Sequence, residues 1–358
     1  NQTPPVIMTQ KPPYNCLNFS FILCFLLIFQ VSFAQTSFTT LEEIVTSRQK
    51  VLGADVVTMV ATKDTVVYQK AANRIFSQRT QAPIGHASQW LTAALILKLA
   101  EEGTLSLDDK VSSYLPVFEK YGKNYITLRH CLSHFTGIQA ESSKAAKLLQ
   151  KKKFTSLDEE VASFAAREIQ TNPGTEFRYS QMGPIIAARV AEVVTKKRFD
   201  MLIQQKLFRP LGMRQTTFTT LDGSPLNAAV GARSTANDMI QFMRMLLNGG
   251  TMSGVQVLSP ESVAELRRVQ TTNFTLNNSP EQAKGFQYAL GAWVPEQNNK
   301  QDANILVGPS FGGTLPIVDF CRGYAYMLLL KEVKEEAGAN VYKEVKNALD
   351  AAFPAKCN

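Results

Sequence analysis

The sequence predicts a mixed α/β (α+β) fold in which an antiparallel sheet is flanked by helices and a mostly helical lobe lies alongside. Three observations lead there. Strand-like runs sit at both ends of the chain, helical patterns fill its middle, and one helix near residue 90 is apolar nearly all round. Strands separated by so long a helical stretch must meet in one sheet built from both termini, with the helical part inserted between them.

The elements follow in order. Residues 41–52 read as a short amphipathic helix. Val56–Ala61 and Thr65–Gln69 are β-branched, strand-like runs, and Lys63-Asp64 between them marks a hairpin. The apolar helix runs from about Ala87 to Glu102 and stops at Gly103, a residue suited to a helix C-terminus. Its Leu91, Ala93, Ala94, Leu95, Ile96 and Leu97 leave no polar face, so it belongs in the interior. Helical patterns continue to about residue 285. Strands return near 286–294, 303–307 and 324–330, ahead of a helix from Ala339 to Phe353. The expected domain is 38–355, with a sheet lobe from about 38–85 and 286–355 and a helical lobe from about 86–285.

Residues 1–34 read as a signal peptide. Lys11 precedes the apolar run Phe21–Phe29, and Ser32-Phe33-Ala34 places small residues at the −3 and −1 positions of a cleavage site. The run is too short for a bilayer-spanning helix, which needs ~20 residues. Met8 is the one methionine ahead of it, so residues 1–7 fall upstream of the expected start. The expectation is an exported protein, periplasmic or secreted, with no stable membrane span after cleavage.

Composition narrows the function. A hydrophobic fraction of 45% over 358 residues suits one large globular unit and excludes a disordered or fibrous chain. The net charge of +8 comes from scattered basic residues, of which Lys151-Lys152-Lys153 is the densest run, so no nucleic-acid partner is expected. Of five cysteines, Cys16 and Cys24 fall in the leader. Cys131, Cys321 and Cys357 remain, an odd number at unrelated spacings, and a disulfide framework is not expected.

The most telling residues are His86 and Gln89, in the segment Ile84-Gly85-His86-Ala87-Ser88-Gln89-Trp90 at the head of the apolar helix. Five landmarks follow it in order: Gly103–Asp109, Ile126–Ile138 (which contains Ser133-His134-Phe135-Thr136-Gly137), Asn172–Ser180, Leu207–Met213 and Leu246–Gly250. Together they cover essentially all of 38–355, and the whole resembles the serine β-lactamase-related hydrolases and penicillin-binding proteins. The resemblance implies a β-lactamase/transpeptidase-like fold with the site between its lobes. It further implies acyl transfer by a Ser-x-x-Lys pair, aided by a tyrosine from a Tyr-x-Asn motif and by a third motif on a facing strand. No cofactor and no metal are implied.

This chain departs from that pattern at the atoms that matter. His86 stands at the nucleophile position and Gln89 at the lysine position. A spacing of three puts both on one helix face, but a carboxamide has no proton to exchange and an imidazole is not a serine-type acyl nucleophile. Tyr179 is kept, while its motif ends in Gln181 rather than asparagine; Gln181 can still hydrogen-bond a ligand. Ser310 and Gly312 fit the third motif, although an alternative register would place Gly308-Pro309-Ser310 there. The expected function is a family member without catalysis that keeps a cleft for a small peptide, ester or cell-wall-derived ligand. The alternative is an active esterase, D-Ala-D-Ala peptidase or β-lactamase with a rearranged site.

That alternative needs another nucleophile. Ser88 lies two residues past His86, about 200° round the helix, and should point away. Ser47-Arg48-Gln49-Lys50 is a literal Ser-x-x-Lys in the wrong helix. Gly308-Pro309-Ser310-Phe311-Gly312 has nucleophile-elbow spacing, but extended Thr314–Val318 follows it and no histidine comes after. His130 and His134 are four apart on an expected helix, a chelating spacing without a third ligand, so packing roles are expected for both.

Overall fold

Val56–Thr62 (β1) and Tyr324–Leu330 (β7) run antiparallel as the second and third strands of a seven-stranded sheet. Between them in sequence come Val66–Ala71 (β2), Gln287–Tyr288 (β3), Trp293–Gln297 (β4), Ala303–Val307 (β5) and Thr314–Asp319 (β6). The order across the sheet is β2-β1-β7-β6-β5-β4-β3, every pairing antiparallel. The computed structural model describes residues 38–139, 154–220, 223–272, 274–308, 314–332 and 338–357, with Gln2 beside them. The expected signal peptide and Lys151-Lys152-Lys153 lie outside the described residues.

The strand sequences explain their places. β7 and β6 are buried at every position, as uninterrupted apolar runs must be when both faces are covered. β2, at the edge, alternates between half-buried and exposed residues until its last turn. Because side chains alternate across a strand, β1 feeds two cores. Val57 and Met59 join Trp90, Leu95, Ile186 and Phe242 on one face. Val56 and Val60 join Leu41, Tyr326, Val345 and Leu349 on the other.

Helices cover both faces. Residues 38–47 (α1) and Gly338–Ala352 (α7) supply Leu41, Val345 and Leu349 to the outer core. The expected 41–52 helix breaks at Arg48, whose guanidinium pairs with Glu344, and resumes as Gln49–Leu52. Ala236–Leu247 (α6) packs on the inner face against β1, β6 and β7. The central helix is Ser88–Glu101 (α2), entered through a 3₁₀ turn at Gly85–Ala87; Ser88 through Leu97 are all buried, as its composition required. Met182–Thr195 (α5) packs against it, and Leu128–Leu132 (α3) and Leu157–Ala165 (α4) pack on α5. No helix among the described residues is long and apolar enough to cross a membrane.

Two expectations are corrected here. The helix carrying His130 ends at Leu132, so His134 does not share it; His134 sits beyond the end at φ +63°. The signature glycine, Gly137 at φ +69°, fixes that exit, since a Cβ there would meet the Thr171 carbonyl oxygen at 2.0 Å. The second correction is a disulfide between Cys321 and Cys357. Their spacing carried no signal because tertiary structure sets the pairing: the β6–β7 turn brings Cys321 against the tail after α7, where Lys356 N–H donates to the Cys321 carbonyl at 3.0 Å. Cys131 stays a buried free thiol. Replacing Cys321 and Cys357 by serine should cost about 2–4 kcal/mol in oxidising buffer, measured by denaturant unfolding. Reduction should do the same to the native chain and leave the double variant unchanged.

Candidate functional site

His86 reaches its place because the chain before α2 is held on both sides. Ala82–Pro83 pairs with Arg233–Ser234, and Ile84 N–H donates to the Ala232 carbonyl at 3.0 Å. Gly85 turns at φ +53°, and His86 follows on the 3₁₀ turn, half-buried. Ser88 is fastened away from it: its hydroxyl donates to the Gly85 carbonyl (2.6 Å) and accepts from Ala232 N–H (3.0 Å), with no exposed surface. Ser88 therefore points away from His86, as the helix rotation between them requires.

One turn on, Gln89 is fully buried. Its Nε2 donates to the Tyr179 hydroxyl at 3.2 Å and lies 3.2 Å from Nδ1 of His86. Its Oε1 accepts from the Tyr288 hydroxyl at 3.1 Å and lies 3.1 Å from Nε2 of His134. Tyr179 closes the first triangle, 3.1 Å from His86 Nδ1, and His134 closes the second, 3.0 Å from the Tyr288 hydroxyl. Gly291 on the β3–β4 connection lets α2 approach this closely; a Cβ there would meet the Gln89 carbonyl oxygen at 2.7 Å.

Tyr179 is aimed by the segment before it. Phe177–Arg178 pairs with Leu276–Asn277, Arg178 N–H donates to the His134 carbonyl (2.9 Å), and Tyr179 N–H to the Asn277 carbonyl (3.1 Å). The buried ring of Phe177 packs against His134, Tyr288 and Trp293 at 5.4–6.0 Å between centroids. Tyr179 lies 5.2 Å from Trp293, so an aromatic wall backs the polar cluster.

The proton positions follow from the donors. Ser180 N–H donates to His134 Nδ1 at 3.4 Å, so the hydrogen of a neutral His134 sits on Nε2, facing Gln89 and Tyr288. Burial, reinforced by the nearby His86, pushes the His134 pKa down to about 3, so this imidazole is neutral near pH 7. With donors on its oxygen, the Gln89 amide must turn its nitrogen to His86, whose Nδ1 then accepts. Burial drives the Tyr179 and Tyr288 phenols well above their usual range, so both remain protonated. The cluster thus centres on a neutral carboxamide, and the Nδ1 lone pair of His86 is already engaged.

The other expected residues are placed differently. Gln181 immediately precedes α5, exposed, with its Oε1 accepting from Asn227 Nδ2 at 3.1 Å. Ser310 and Gly312 lie outside the described residues, as does the choice between the two third-motif registers. His130 caps its own helix, accepting Thr127 N–H through Nδ1 at 3.3 Å, a packing role as expected. His134, also expected to pack, belongs to the cluster. Sequence reasoning did not find Tyr288, Trp293 or Asn227, for which no motif gave a signal. Among the described residues no group of three or more His, Cys, Asp or Glu could hold a metal.

The profile of the beta-lactamase family matches residues 41–348. The chain belongs to the beta-lactamase family. Protein flp of Staphylococcus aureus (strain MW2) is 30% identical over 158 residues, 43% of this chain and 31% of that protein. The chain thus matches about a third of the flp length. A provisionally named D-alanyl-D-alanine carboxypeptidase of Salmonella typhimurium is 23% identical over 282 residues, covering 63% of this chain and 60% of that one. A solved structure from Bacteroides dorei DSM 17855, with a provisional beta-lactamase designation, superposes with a TM-score of 0.76 at 27% identity, over 87% of this chain and 98% of that one. The β-lactamase/transpeptidase-like architecture expected from the landmarks is the one observed.

Proposed function

We propose that this member of the serine hydrolase family does not carry out acyl transfer and uses its cleft to bind a small peptide, ester or cell-wall-derived ligand. The observation that carries the reading is the buried Gln89 carboxamide, hydrogen-bonded on its oxygen by Tyr288 and on its nitrogen by Tyr179. A site of this design needs a group at that position that takes and returns a proton, and a carboxamide does neither. His86 brings no hydroxyl, and Ser88, the adjacent seryl oxygen, is tied into the backbone. Loss of the nucleophile from a serine hydrolase costs roughly 10⁶-fold in kcat. The polar cluster meanwhile remains hydrogen-bonded and backed by buried Trp293 and Tyr288, and half-buried His86 and Tyr179 are the groups it can offer a ligand. The apolar run at 21–29 and the small residues at 32 and 34 support export as part of the same reading.

The test is to measure binding and turnover side by side. Calorimetry with an N-acetylated D-Ala-D-Ala peptide, and absorbance assays with a chromogenic cephalosporin and a p-nitrophenyl ester, should give binding without turnover. Hydrolysis at rates ordinary for this family would overturn the reading in favour of a rearranged active site.

A further inference from the structure

The geometry points to a second binding site, on the face of the sheet away from α2, for a small uncharged molecule with an apolar body and one hydroxyl or amide end. The site is a cavity of about 200 Å³ between α1 and the β1–β2 ladder. It shares no residue with the His86 cluster and does not depend on the role proposed for the cleft.

The cavity exists because small and polar side chains face one another where a helix and a sheet would ordinarily interdigitate. Its roof is Glu42, Val45, Thr46 and Gln49, an i, i+3, i+4, i+7 stripe on one side of the helical segment. Its floor is Val56 and Thr58 of β1, Tyr68 and Lys70 of β2, and Ala72 just beyond. Thr58 pairs with Lys70 and Val60 with Tyr68, so these alternate residues lie on one face of the pleat. Leu41 and Leu52 are buried and seat the segment at either end. Between them the stripe offers no large apolar side chain to fill the gap.

The lining sets the chemistry of the occupant. Glu42 pairs with Lys70 and accepts from the Tyr68 hydroxyl at 3.0 Å, and Phe38 stacks on the Tyr68 ring with centroids 4.8 Å apart. The hydrogen bond from Lys70 outweighs desolvation and holds the Glu42 carboxyl below its usual range, so the pair stays ionised near pH 7. The two charges compensate one another. A charged ligand would add an unpaired charge or break that pair, and an uncharged one does neither. At the rim, Thr46 and Gln49 are exposed, and their side chains have no hydrogen bond among the described residues. A hydroxyl or amide end can meet the Gln49 carboxamide there while the body lies on Val45, Val56 and Ala72. The volume exceeds the ~150 Å³ that takes a benzene ring and falls short of the ~300 Å³ of drug-sized pockets, so the occupant is about the size of one substituted ring.

Benzyl alcohol is the probe, with benzoate and benzylammonium as charged analogues of the same shape. Titrated into ¹⁵N-labelled protein, the alcohol should give saturable amide shifts around Thr46, Thr58 and Ala72 and leave those around His86 and Tyr179 in place. The charged analogues should bind at least about 10-fold more weakly. Thr46→Phe fills the cavity from the roof and Ala72→Leu from the floor, so either variant that folds should abolish saturation. Gln49→Ala should weaken the alcohol about 3- to 10-fold, the worth of one hydrogen bond. No saturable shift in the native chain would mean that the cavity holds water alone and would overturn the inference. So would undiminished binding in a folded filled variant, equal binding of the charged analogues, or an affinity indifferent to Gln49.

Discussion

His134→Asn is expected to lower stability at pH 7 by about 2–3 kcal/mol and to flatten the acid side of the stability profile. The first effect comes from the loss of both imidazole partners: Ser180 N–H loses the Nδ1 acceptor, and the buried oxygens of Tyr288 and Gln89 lose the Nε2–H donor. Asparagine tolerates the left-handed backbone at φ +63°, so the substitution isolates the imidazole from backbone strain. The second effect follows from linkage. The His134 pKa falls from 6.5 to about 3 on folding, so between those values the unfolded chain binds a proton that the folded chain refuses. Stability contributed by neutral His134 is fully present above pH 6.5 and is lost as pH falls towards 3. The full loss is on the order of 4 kcal/mol. Carboxylates add their own acid dependence to both proteins, and subtracting the two profiles removes it. Parallel profiles would show that His134 titrates as in the unfolded chain, contrary to the hydrogen bonding described.

Gln89→Lys is the second large effect. The side chain has no exposed surface, and its oxygen is met by a donor from Tyr288 and by the N–H of His134. An ammonium there would find acceptors in His86 Nδ1 and the Tyr179 hydroxyl but no counter-charge, and would lose its water, a situation that costs about 3–5 kcal/mol. Part of the cost is relieved by releasing the proton, because desolvation lowers an amine pKa. The sign is definite: the penalty is absent above the unfolded lysine pKa near 10.4 and grows as pH falls below it, levelling off once the folded group is protonated. Gln89→Met is the control, since it loses the same acceptor at about 1–3 kcal/mol with no added pH dependence between 7 and 10. Urea unfolding of both variants at pH 7, 8.5 and 10 separates them. Equal profiles would mean that the pocket tolerates the charge, and that its neutral hydrogen-bonding pattern is not a constraint.

Much of the architecture was legible because it rests on local patterns. α2 announced itself by an apolar surface with no polar stripe, and β1 by the β-branched run Val56–Ala61. The spacing of His86 and Gln89 put them on one helix face, and the same rotation turned Ser88 away. What could not be read depends on contacts between distant segments. His134 looked like a helical packing residue because the sequence does not show that the helix ends at Leu132 or that the chain then turns back. Tyr288 lies 199 positions from Gln89, and only the closed sheet brings its hydroxyl to the carboxamide. Cys321 and Cys357 meet for the same reason, across a turn and a tail whose spacing says nothing.

We propose that the described site built on His86, Gln89 and Tyr179 forms no acyl-enzyme. Intact-mass measurement after incubation with a fluorescent penicillin, and separately with a fluorophosphonate, tests it most directly. An unchanged mass is expected with both reagents, in a preparation whose folded state is confirmed by a cooperative unfolding transition. A stoichiometric covalent adduct, mapped to any seryl oxygen of the native fold, would contradict it.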